Sequence, residues 1–298
     1  SVSVWAWSNL WVAKTRGDVA YDLSRAASAV TELRMKDIRR LNKISRYLTR
    51  TKEWKHFIPR LEGELSDLET VLVADGSLAN LESGKSQGGF IVGIHSAGDR
   101  LAVGGVTKVA AVGIHSGVIR RVCRSSFDSE VLISVEGLDM AMSVGVLLRE
   151  AVVGPQPDLL ARIVARGTKD GADGDGSQVC TPVTVLTDSK SMVDAVYTLT
   201  DAKKTGKRRR VDIASMKELI DLSLVRGVHH VDGTVNPANP LTKVYSVTWK
   251  NSGVPSSFRA DSYSLGPGLG CGRLSPPVPP PNPKGPSSSA STSSGSTS

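Results

Sequence analysis

The sequence predicts an α/β protein built on a mixed sheet of five strands with flanking helices. Short apolar runs rich in β-branched residues follow one another over residues 71–106, and glycines separate them, which is typical of an antiparallel meander. A long stretch with helical periodicity covers residues 125–152. A further strand at residues 183–188 leads directly into helical sequence, and a last strand follows it.

The first part of the chain has a helical pattern. Between residues 8 and 51 apolar residues recur mostly every three or four positions, and basic residues crowd the second half of the stretch. We therefore expect a helical segment within residues 1–60. Its basic side is either a solvated face or a face turned toward nucleic acid.

Three strands and a helix are expected next. The strands are VLVADGS, GGFIVGIHSA and LAVGGV, at residues 71–77, 88–97 and 101–106. The helix covers residues 125–152, with Ser125 or Ser126 as its N-cap.

The remaining elements alternate with polar segments. Residues 155–182 form a Gly/Asp-rich excursion without the ligand pattern of a calcium loop. After the strand VTVLTD, helices are expected at residues 189–199 and 211–225, with the basic run KKTGKRRR between them and the strand VHHVDG after them. Residues 253–298 are rich in Pro, Ser and Gly and are predicted to be disordered.

The composition of the chain indicates what kind of partner and compartment to expect. A net charge of +8 in 298 residues favours a polyanionic partner. The cysteines Cys123, Cys180 and Cys271 lack the spacing of a zinc site or a disulfide framework, so we expect a reduced compartment, cytoplasmic or nuclear. No stretch approaches the ~20 apolar residues of a membrane span, and no membrane partner is expected. Because the first residue is Ser1, we expect a piece of a longer protein.

Three acids stand out by position. Asp75 ends the first strand, Asp188 ends the strand VTVLTD, and Glu130 lies on the long helix. An isolated Asp75-Gly76 pair is typical of a turn, but the second strand that ends in an acid favours a shared site. Carboxylates that converge from separate elements hold hard cations such as Mg²⁺, and two ions about 4 Å apart activate a water for phosphodiester cleavage.

The chain resembles the ribonuclease H (RNase H) domain of Ty1/copia-type retrotransposon Pol polyproteins. The matching pieces are VADGS (residues 73–77), RRVCRSSFDSEVLIS (120–134), TDSKSMVDAV (187–196), KRRRVDIASMKE (207–218) and VNPANPLTK (235–243). The resemblance implies an RNase H-like domain over residues 68–245. The segment before it resembles the thumb or connection of a reverse transcriptase.

The resemblance also implies a site. It places metal ligands at Asp75, Glu130 and Asp188 around two Mg²⁺ or Mn²⁺ ions, and it puts Asn239 where the family has its last acid. It selects Glu130 over Asp128, which points about 200° away around a helix. Asn239 supplies no charge, so both a damaged and a tolerated fourth position stay open. Asp232 compensates only if its loop reaches the site.

The implied activity is endonucleolytic hydrolysis of the RNA strand of an RNA–DNA hybrid. The residues expected to bind nucleic acid are Ser77, Lys203, Lys204, Lys207, Arg208, Arg209 and Arg210. The basic run is equally typical of a nuclear localisation signal or a solvated loop. His229 or His230 is either a catalytic assistant or an ordinary strand residue.

Two functions therefore remain at the level of sequence. One is an active RNase H that works beside the reverse transcriptase domain of the same polyprotein. The other is a catalytically degraded relic that binds nucleic acid or has a structural role. No Y-x-D-D polymerase signature is present, so this piece is not expected to polymerise.

Overall fold

The computed structural model describes residues 11–29, 34–53, 56, 58–97, 107–155, 180–198, 206–243 and 263–265. The strands are β1 Leu68–Ser77, β2 Gln87–Ser96, β3 Thr107–Val118, β4 Val183–Thr187, β5 Val225–His230 and β6 Tyr263–Leu265. The helices are α1 Ala20–Ser28, α2 Met35–Arg50, α3 Ser126–Val153, α4 Lys190–Tyr197 and α5 Lys207–Asp221.

The strands form one sheet in the order β5-β4-β1-β2-β3-β6. Strand β1 is parallel to β4 and antiparallel to β2, β4 is parallel to β5, and β2 is antiparallel to β3. The first five strands thus follow the order 3-2-1-4-5, with β2 alone reversed among them. The predicted α/β class, with a mixed five-stranded sheet and flanking helices, is confirmed. Strand β6 adds to the edge beside β3.

The central strand β1 is buried on both faces. By period two, Leu72 and Ala74 point to the core that the sheet shares with α3, α4 and α5. Val71 and Val73 point to a second core, which includes Ala20 of α1. The N-terminal helix α1 therefore packs on the same sheet that carries the acids.

Helix α3 is the long helix expected from the sequence. Ser125 is its N-cap, and its side chain accepts a hydrogen bond from the Asp128 N–H at 3.2 Å. By length and hydropathy α3 meets the criterion for a membrane span, but half of its apolar window is buried within the fold. Its apolar residues pack on the sheet, as those of a core helix do.

Several boundaries differ from the sequence-based expectation. The predicted strand at residues 101–106 lies outside the described residues, and the strand beside β2 is β3, whose small residues and irregular register opposite Gly93 hide its alternation. Helix α5 begins at Lys207 rather than at residue 211, so the end of the basic run is helical. It ends before Ser223, whose positive φ of 56° stops the helix.

The terminal segments differ as well. The continuous helical pattern of residues 8–51 is divided into α1 and α2. Val19, which precedes α1, and Leu23 of α1 pack on Ile44 of α2. Strand β6 lies in the segment predicted to be disordered, whose other residues are outside the described part of the chain. The same holds for most of the Gly/Asp-rich excursion. The thumb or connection assignment stays a prediction.

Candidate metal centre

The structure brings three predicted acids together. One carboxylate oxygen from each of Asp75, Glu130 and Asp188 lies within 4.8 Å of the other two. Parallel pairing of β1 with β4 places Ala74 opposite Thr187, so the residues that follow, Asp75 and Asp188, lie side by side. Asp75 and Glu130 are buried, and Asp188 is partly buried.

Glycine at position 76 allows Glu130 to reach this edge. A Cβ atom at Gly76 would lie 2.6 Å from the carbonyl carbon of Ser129 and 2.8 Å from the amide nitrogen of Glu130. No side chain is compatible with backbone atoms that close. The absence of a Cβ therefore lets the start of α3 touch β1 and turns the Glu130 side chain toward Asp75.

Burial and mutual repulsion perturb these carboxyl groups. Burial, followed by the charges of Asp75 and Asp188, raises the pKa of Glu130 to about 9, although a hydrogen bond from the Gly76 N–H opposes the rise. Burial also raises the pKa of Asp75, against a hydrogen bond from Thr242 and the charge of Lys243. The buried Oε2 of Glu130 has no hydrogen-bond partner among the described residues. A cation between the carboxylates would relieve both the repulsion and the unpaired oxygen.

The fourth ligand position implied by the resemblance is occupied by the side-chain amide of Asn239, which already makes hydrogen bonds. Asn239 begins a 3-10 helix, Asn239–Leu241, and is 7% exposed. Its Nδ2 donates to the Gly233 carbonyl, and its Oδ1 accepts from Lys243 Nζ. The same Nζ lies 3.6 Å from Asp75 Oδ1. Thr242 donates its hydroxyl to Asp75 Oδ2.

Contacts with three strands hold this C-terminal segment against the site. Asn236 Nδ2 donates to the Ala74 carbonyl at 3.1 Å, and Ser116 Oγ donates to the Leu241 carbonyl at 2.6 Å. Leu241 packs directly over Gly89 of β2, where a Cβ would lie 2.4 Å from the Leu241 Cβ. The segment that carries Asn239 is therefore positioned by β1, β2 and β3 together.

One solved structure is similar to part of this chain. It is described as the N-terminal RNase H domain of Rv2228c from Mycobacterium tuberculosis, fused to maltose-binding protein, and it is 16% identical to this chain. The match covers 59% of this chain and 91% of that chain, with a TM-score of 0.33. No family model and no curated protein sequence matches the chain.

Other acids named in the sequence lie elsewhere. Asp128 accepts a hydrogen bond from the Arg124 N–H at 2.8 Å and lies 3.6 Å from Arg209, so it is not part of the cluster. Asp232 is exposed, and its Oδ1 accepts hydrogen bonds from the amide and hydroxyl of Thr234. It therefore begins a turn, which its backbone oxygen closes by accepting from the Val235 N–H, and it is not among the three clustered acids.

The two histidines of β5 have different surroundings. His230 is exposed, and its Nε2 lies 3.1 Å from the backbone oxygen of Asp188. His229 is partly buried, and burial lowers its pKa. The contact with Asp188 places His230, rather than His229, next to the acidic cluster.

The residues predicted to bind nucleic acid differ in how far their side chains are exposed. Lys203 and Lys204 lie outside the described residues, and Ser77 is partly exposed at the end of β1. Lys207, Arg208 and Arg210 are exposed on the first turn of α5.

Arg209 differs from its neighbours because its side chain is only 8% exposed. Its Nη1 lies 2.7 Å from Asp212 Oδ2, and its Nε lies 3.6 Å from Asp128 Oδ1. The first pair lies within α5 and the second joins α5 to α3, and both favour a structural role for Arg209.

Three residues that contact the site were not predicted from the sequence, namely Asn236, Thr242 and Lys243. All three lie in the piece VNPANPLTK, which was quoted only for its family resemblance. One signal was present, because a helical turn at Asn239 would place the residues three and four positions later on the same side. Without knowledge of where that turn docks, the signal did not point to Asp75.

Proposed function

We propose that the chain is a divalent-cation-dependent nuclease of the RNase H type, which hydrolyses the RNA strand of an RNA–DNA hybrid. The observation that carries the proposal is the cluster of three carboxylates at the carboxyl ends of β1 and β4, two of them buried. A buried cluster of like charges is unfavourable unless a cation or a proton neutralises it.

The donor set fits Mg²⁺ or Mn²⁺. These ions prefer oxygen ligands, and Asp75, Glu130 and Asp188 would supply them. One of these oxygens is Glu130 Oε2, which has no hydrogen bond within the described part of the chain. When bound, such an ion activates water and stabilises charge on a leaving oxygen. The chain itself orients the ligands, because Thr242 holds one oxygen of Asp75 and the Gly76 N–H holds Glu130.

A basic groove supports binding of a polyanion beside the cluster. An open groove of about 1030 Å³ is lined by the starts of α3, α4 and α5, and the exposed residues Arg121, Arg124, Lys207 and Arg208 border it. Helices α3 and α4 also begin next to Glu130 and Asp188. A nucleic acid backbone in this groove would bring its phosphates near the carboxylates.

The proposal extends to the source of the chain and to its partner protein. The five motif pieces favour a Ty1/copia-type retrotransposon source. The reverse transcriptase domain of the same polyprotein would then be the partner, in the cytoplasm or the nucleus.

Cleavage of a hybrid with 5′-labelled RNA by the 298-residue chain in Mg²⁺ tests the activity. We expect RNA fragments with 3′-hydroxyl ends, intact DNA, and loss of cleavage by EDTA and by Asp75→Asn. Asp139→Asn is the matched control, because Asp139 is an exposed acid on α3 outside the cluster. Cleavage that persists in Asp75→Asn would contradict the proposal.

The second candidate function is binding of hybrids without cleavage. The bonded amide of Asn239 favours it, because a neutral group stands where the resemblance implies an acid. This function predicts salt-sensitive binding without products. Asn239→Asp separates the two, because cleavage that appears only in this variant would show that the last ligand alone is missing.

A further inference from the structure

We infer that Lys243 supplies the second positive charge of the acidic site, so that the three carboxylates take one divalent cation rather than two. The inference rests on the proposed metal site and concerns how many ions that site accepts. It follows from the contacts of Lys243, the orientation of Asn239 and the balance of charge.

Lys243 connects two groups at which the resemblance implies metal ligation. Its Nζ donates a hydrogen bond to Asn239 Oδ1 and lies 3.6 Å from Asp75 Oδ1. Asp75 is 2% exposed, whereas the Lys243 side chain is 50% exposed. The lysine therefore extends from the surface and brings its ammonium group to a buried carboxylate, which gives the pair a stronger interaction than two exposed charges would have.

The orientation of Asn239 agrees with this role. Its Nδ2 donates to the Gly233 carbonyl, which leaves Oδ1 to face Lys243. The opposite orientation would bring the amide NH₂ group against an ammonium that has no acceptor. The oxygen through which an asparagine ligates a cation is thus already bonded to the lysine.

The balance of charge in the site also favours one bound divalent cation. One divalent cation and one ammonium neutralise three ionised carboxylates. A second divalent cation would enter a site that is already neutral and would need a further negative charge, whereas removal of the ammonium would leave one such charge. A carboxylate at position 239 would supply that charge, and the sequence has an amide there.

The test counts the Mn²⁺ ions bound by the 298-residue chain, from the loss of the free-Mn²⁺ electron paramagnetic resonance signal on titration. We expect one bound ion in the wild type and in Lys243→Arg, and two in Lys243→Met, with the first bound roughly tenfold more tightly than in the wild type. Lys85→Met is the matched control, because Lys85 is an exposed lysine outside the site. Lys243→Gln, which keeps a polar contact with Asn239, is a second neutral variant. Circular dichroism verifies that each variant is folded.

The outcomes separate the inference from the function on which it rests. Two ions in the wild type would overturn the inference and leave the proposed nuclease intact. One ion in both neutral variants would also overturn it, because Lys243 would then not set the count. If the wild type binds no ion, the proposed metal site itself is wrong.

Discussion

Replacing Glu130 by glutamine is expected to stabilise the metal-free protein at alkaline pH. Burial beside Asp75 and Asp188 raises the pKa of Glu130 from its ordinary value of 4.5 to about 9. Between these two values the folded state keeps a proton that the unfolded chain has released. The free energy of unfolding therefore falls as the pH rises through this window, and glutamine, which does not titrate, removes the fall.

The magnitude follows from the size of the shift. The slope is at most about 1.4 kcal/mol per pH unit, which would amount to roughly 5 kcal/mol between pH 4.5 and pH 8 for an isolated group. Relaxation and water entry around the site reduce this figure, so we expect the unfolding free energy of Glu130→Gln to exceed that of the wild type by about 2–4 kcal/mol at pH 8. At pH 5 the wild-type carboxyl group is protonated, and the two proteins should have similar stability.

Urea unfolding in EDTA at pH 5, 6.5 and 8, followed by circular dichroism, measures the difference. Glu136→Gln is the matched control, because Glu136 lies on the same helix with its side chain 61% exposed. Mg²⁺ should stabilise the wild type at pH 8 and have little effect on Glu130→Gln. Equal stability of wild type and Glu130→Gln at pH 8 would refute the reasoning, as would a wild type that gains stability between pH 5 and pH 8.

Three further substitutions test the packing that positions the site. Gly76→Ala should lower the unfolding free energy by about 1–3 kcal/mol, because its Cβ would meet the backbone of α3. Gly206→Ser is the control, since a Cβ there meets open space, and its unfolding free energy should stay within about 0.5 kcal/mol of the wild type. Similar losses in the two variants would contradict the close approach of Gly76 to α3. Arg209→Met should lower the unfolding free energy by about 1–3 kcal/mol, because two partly buried acids lose an ion pair but keep their contacts with the Arg124 N–H and with Arg121. Arg208→Met should keep its melting temperature and weaken hybrid binding in a filter assay. Ser125→Ala should lower the unfolding free energy by about 1 kcal/mol, and an unchanged urea midpoint would argue against the N-cap.

Elements with a strong local pattern were predictable from the sequence. The sequence alone predicts β1 and β4 from their apolar, β-branched runs, and it predicts α3 from its long periodic stretch. Strand β3 was not found, because its alternation is interrupted by glycines and by an irregular register opposite β2. The start of α5 was misplaced because a run of four basic residues is typical of a loop, whereas the run is helical here and Arg209 pairs with Asp128 and Asp212.

The sequence by itself determined the α/β class and the three acids, because an acid at a strand end and an acid on a periodic helix are local features. Only the tertiary structure decided what surrounds those acids. Thr242 bonds to Asp75 across 167 positions of the chain, and Lys243 reaches the same carboxylate from the same turn. The raised pKa of Glu130 likewise depends on its distances to Asp75 and Asp188, which are far away in sequence. Such distances are set by the docking of whole elements, which no local pattern encodes.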